Sequence, residues 1–73
     1  MNKEKIEKLT SMGLVSYHKS LDRKERVQLK NYVSLLFGLS YAVVDGRFCG
    51  RMKFTNAELL ALKPVIENES WRQ

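Results

Sequence analysis

Leu39-Ser40-Tyr41-Ala42-Val43-Val44-Asp45-Gly46-Arg47-Phe48-Cys49-Gly50-Arg51-Met52-Lys53 supports two local structures, and the choice between them decides the fold. In the first, Ser40 caps a helix reaching about Cys49, Val44 and Phe48 share its inner face at a spacing of four, and Gly50 closes it. In the second, Asp45 and Gly46 form the centre of a type I′ turn. A hairpin from Tyr41 to Cys49 then sets Val43 and Val44 against Arg47 and Phe48. Asp-Gly is the strongest short hairpin signal, and glycine inside a helix costs about 1 kcal/mol relative to alanine, so local propensity favours the hairpin. The first reading implies an all-α domain of four to five helices, the second an α+β domain.

The flanking segments are more decided. Asp22 followed by Glu25 has the pattern of a capping box, and Leu29, Tyr32, Val33, Leu36 and Phe37 recur at three- and four-residue spacing up to Gly38. Thr55 and Glu58 repeat the capping pattern downstream, with Phe54 and Leu59 placed to form a hydrophobic staple. Leu59, Leu62, Val65 and Ile66 supply the buried face of that last helix, and Pro64 predicts a kink or restart near Lys63. Trp71 is expected to fold back over the edge of the core. Towards the amino terminus, a short helix from Lys3 to Met12 is expected to stop at Gly13, with Leu14, Val15 and Tyr17 following as a turn or short helix.

Seventy-three residues make one domain, and 44% hydrophobic with 29% charged residues is an ordinary folded composition. The lone Cys49 cannot form an internal disulfide, and the amino-terminal residues lack the apolar stretch of a signal peptide, so a reducing cytoplasm is expected. No apolar run is long enough to span a membrane. The net charge of +5 is concentrated between Lys19 and Lys53, where eight bases face three acids. Such a concentration suits a polyanion, because each neutralised phosphate releases condensed counterions.

Nothing in the sequence assembles catalytic or metal-binding chemistry. His18 has no second ligand at metal spacing, Cys49 has no nearby histidine and is expected to fill space, and Asp45 and Glu58 are explained by a turn and a cap. The run Arg23, Lys24, Glu25, Arg26 suits a solvated helix face. The expectation is therefore a binding protein with no cofactor and no small-molecule substrate.

From about Lys30 to Ile66 the spacings resemble those of the lambda-repressor-like, Cro-type helix-turn-helix regulators, especially the small single-domain ones of phages and mobile elements. Val33 and Phe37 look like the apolar residues of that family's first motif helix, Gly38 like its turn glycine and Leu39 like the apolar residue after it. Ser40 looks like the recognition-helix cap, Val44 and Phe48 its buried face, and Gly50 its terminator. Ser34, Asp45 and Gly46 depart from the pattern, as does the long helix from Asp22. The resemblance favours the all-α alternative, with a motif over about residues 30–50. It implies a transcriptional regulator that binds double-stranded DNA, as a homodimer on paired half-sites. Tyr41, Ala42 and Asp45 would then face the bases, Lys30, Arg47, Arg51 and Lys53 the phosphates, and Ser40, at the helix cap, completes the DNA-binding set. The rival expectation is a protein-protein interaction module of the phage inhibitor or adaptor kind, built on the hairpin.

Overall fold

Asp45 and Gly46 lie inside a helix. A computed structural model describes residues 9–72, which form four helices: α1 (Ser11–Lys19), α2 (Arg23–Phe37), α3 (Tyr41–Phe48) and α4 (Asn56–Glu67). There is no strand among the described residues, so the hairpin alternative does not hold. The hairpin propensity of Asp-Gly is overridden by packing. Val44 and Phe48, one helical turn apart on α3, are each only 1% exposed and fix its inner face in the core.

The amino-terminal segment differs from expectation. Leu9 and Thr10 are not helical, and the Thr10 hydroxyl accepts from Gly13 N at 3.0 Å as the cap of α1, so Gly13 lies inside a first turn instead of ending a helix. Residues 3 to 8 of the expected first helix lie outside the described residues. The buried face of α1 is Leu14 and His18, with Leu21 just beyond it. An apolar pattern could not announce that face, because its second member is a histidine.

Both expected capping boxes are present. Glu25 N donates to Asp22 Oδ1 at 2.8 Å and Asp22 N to Glu25 Oε1 at 3.1 Å. At α4, Glu58 N donates to Thr55 Oγ1 at 3.2 Å and Thr55 N to Glu58 Oε1 at 3.0 Å. Phe54 is buried and Leu59 packs against the same core. The helix α4 runs through Pro64 without a restart. Its unfilled hydrogen bond falls on the side carrying exposed Leu60 and Pro64, where water can take the freed carbonyl.

Three helices end in the same way, with an amide reaching back five residues around a left-handed position. Leu39 N bonds Ser34 O around Gly38 (φ 68°), Arg51 N bonds Gly46 O around Gly50 (φ 91°), and Ser70 N bonds Val65 O around Glu69 (φ 53°). At the α2 end, Ser34 Oγ also donates to Leu39 O at 2.6 Å, which locks the turn that aims α3. Replacing Gly38 with valine is expected to cost about 1–2 kcal/mol through the left-handed backbone, since an added Cβ would meet nothing within 4 Å. An unchanged denaturation midpoint would contradict this. Gly46→Ala has the opposite sign. The added Cβ would lie 3.8 Å from Arg51 Nε and Nη2, an ordinary contact, so the better helix former should stabilise by roughly 0.5–1 kcal/mol in a thermal melt.

Trp71 is fully buried, not a lid on the core edge. It joins Leu14, Leu21, Leu29, Val33, Val44, Phe48, Phe54, Leu62, Val65 and Ile66 in one cluster. Phe48 is its centre on the α3 side, stacked on His18 at 5.0 Å and edge-on to Phe54 at 5.1 Å.

Candidate nucleic-acid interface

The turn Gly38–Leu39 leads into Ser40, whose hydroxyl accepts from Val43 N at 3.2 Å and starts α3. With Val44 and Phe48 turned inward, helical geometry leaves Ala42, Asp45 and Cys49 on the outer side, while Tyr41 shares the side of Val44 and Phe48 but is the first residue of the helix. Tyr41 and Ala42 are exposed at the amino-terminal end of α3. Arg51 and Lys53, in the segment between α3 and α4, are exposed as well, the Arg51 side chain by 67%.

The remaining candidates are engaged inside the molecule. Lys30 Nζ lies 2.9 Å from Asp45 Oδ1 and 5.3 Å from the centroid of the Tyr41 ring, with the lysine side chain only 11% exposed. Burial works to lower the Lys30 pKa, but its hydrogen bonds to Asp45 and Tyr41 outweigh that and raise it. The same lysine holds the Asp45 carboxyl below its ordinary value. Asp45 therefore remains a carboxylate at neutral pH, with its second oxygen 3.6 Å from Arg51 Nη2. Arg47 is paired with Glu58, and both side chains are largely buried. Lys30 and Arg47 thus serve as internal counter-ions of Asp45 and Glu58 where phosphate contacts were expected, and Asp45 is bound by two cations where a free base-facing side chain was expected.

Two of these ties have no sequence signal. Lys30 and Asp45 are fifteen positions apart on different helices, and only tertiary packing brings them together. Glu58 was legible as a cap, but its second task, neutralising Arg47 and so tying α3 to the start of α4, was not.

Arg26 is also committed: its Nε donates to His18 O at 3.3 Å and its Nη2 to Lys19 O at 3.0 Å, satisfying carbonyls at the end of α1. Beside it an open cleft of about 490 Å³ is lined by His18, Lys19, Arg26, Phe48 and Cys49. Burial, then the Lys30 and Arg26 charges, lowers the His18 pKa, so the ring is neutral, and its Nε2 is buried without a hydrogen-bond partner. Cys49 is exposed and does not fill the core, with its thiol 3.8 Å from Asp45 Oδ1. Among the described residues no group of three or more histidine, cysteine or acidic side chains could hold a metal ion, and no helix is long and apolar enough to cross a membrane.

The fold and the surface define a small all-α domain with a short helix presented at the end of a three-residue turn. No protein-family model matches the chain, and no match is found among curated proteins or solved structures.

Proposed function

We propose that the protein binds duplex DNA, with α3 entering the major groove amino-terminal end first, and that it acts as a small transcriptional regulator. The observation that carries the reading is the division of α3. Val44 and Phe48 anchor one side in the core, while Tyr41 and Ala42 stand exposed where the Gly38 turn delivers the helix. A B-form major groove admits one such helix, Ala42 suits a thymine methyl group, and the Ser40 end brings backbone amides toward phosphate. Arg51 and Lys53 supply exposed cations beside this face. One module of this size has little surface, so two copies on a two-fold site are the expected arrangement.

The test is a mobility shift over a range of salt concentrations, first with mixed-sequence duplex and then with duplexes selected from a random pool. Affinity should fall steeply with salt, by about 0.9 in the log-log slope for each phosphate neutralised. No complex with any duplex at low salt would end this reading. The interaction-module alternative would then lead, now without its hairpin, and with exposed Leu35 (86%) and Leu60 (74%) as apolar surface to explain.

A further inference from the structure

We propose that Asp45 is an internal competitor for the phosphate contact of Arg51, and that this competition weakens binding to DNA of the wrong sequence. The inference rests on the DNA reading above. The two oxygens of Asp45 are held unequally. Oδ1 is fixed by the buried Lys30 at 2.9 Å, whereas Oδ2 meets Arg51 at 3.6 Å, a longer approach to a guanidinium on a side chain 67% exposed. The first tie is part-buried, on a lysine side chain 11% exposed. The second is a surface pair in high dielectric, and such pairs exchange at little cost.

Arg51 also lies over Gly46, close enough that a Cβ there would be 3.8 Å from its Nε and Nη2. The guanidinium is therefore stationed on the outer side of α3, held by a carboxylate that a closely docked phosphate can replace. A loosely docked duplex leaves Arg51 on Asp45. A duplex that seats α3 fully draws Arg51 to the backbone, and the phosphate contact is added only there. Asp45 is in this sense a positioning residue acting through Arg51.

The experiment compares wild type, Asp45→Asn, Arg51→Gln and the double variant on two probes: a mixed-sequence duplex and the duplex enriched by selection with wild-type protein. On the mixed duplex, Asp45→Asn should steepen the salt slope by about 0.9 and raise affinity about 8-fold more at 0.1 M than at 1 M salt, the yield of one added phosphate. On the selected duplex its slope should be unchanged, so the ratio of specific to non-specific affinity falls. In the Arg51→Gln background, Asp45→Asn should steepen nothing. Steepening that survives loss of Arg51, or none on the mixed duplex, would overturn the proposal while leaving the DNA reading intact.

If Asp45→Asn does not fold, Arg51→Gln alone decides. On the selected duplex it should lose about 0.9 of slope, and an unchanged slope means that Arg51 never leaves Asp45. Wild-type protein that binds neither probe refutes the DNA reading, and this inference with it.

Discussion

Trp71→Ala is expected to leave the protein largely unfolded at physiological temperature. The indole is completely buried, its Nε1 donates to Tyr17 Oη at 3.2 Å, and the two rings meet edge to face at 6.2 Å. Its outer side is covered by the Arg72 guanidinium, 4.3 Å from the ring, and Arg72 in turn pairs with Glu25 on α2 and with Glu69. Removing a fully buried tryptophan costs about 3–5 kcal/mol, against a total stability of roughly 4–11 kcal/mol for a chain of this length. For a domain this small such a loss lowers the melting temperature by about 20 °C or more. A circular-dichroism melt displaced by only a few degrees would show that the carboxyl-terminal segment is dispensable to the core. Trp71→Phe, which keeps an aromatic ring but loses the bond to Tyr17, should fall between.

The second large effect is at Glu58. Its carboxylate both accepts from Thr55 N and neutralises Arg47, whose side chain is 14% exposed and whose Nε is buried without a partner. Alanine at this position removes the acceptor of Thr55 N, one half of the capping box, and strands a nearly buried guanidinium, and breaking such a pair from one side costs about 3 kcal/mol. Glu58→Gln should cost less, because an amide oxygen can still accept from Thr55. Chemical denaturation measures both, and a loss below about 1 kcal/mol for the alanine variant would mean that Arg47 is adequately solvated without its acid.

The features legible in the sequence were those in which a residue acts on its own chain neighbours. Asp22 with Glu25, Thr55 with Glu58, Ser40 as a cap, and Gly38 and Gly50 as left-handed termini all work within a few positions, so their spacing carries their meaning. The same locality misled at Gly13, where a glycine that could end one helix belongs to the first turn of another. Burial was legible where the inner face is apolar throughout, as in Val44 and Phe48, and illegible in α1, where His18 takes a core position by stacking on Phe48. The candidate site was least legible in its charges. Whether a lysine or arginine is available to a phosphate depends on which acid packs beside it, and Asp45 and Glu58 reach Lys30 and Arg47 only through the tertiary fold.

Trp71 also makes the molecule its own optical gauge. It is the chain's single tryptophan, so indole emission reports on one site, and in the native state that site is dry and perpendicular to a neighbouring tyrosine. Emission should be blue-shifted in the folded protein and move to the red in one step when the clasp between Tyr17, Trp71 and Arg72 opens to solvent. Quenchers dissolved in water should reach it only after that step. Because the indole is sealed in the core while Tyr41 and Ala42 are on the surface, a duplex seated on α3 would leave this colour untouched, and fluorescence would register folding without registering cargo.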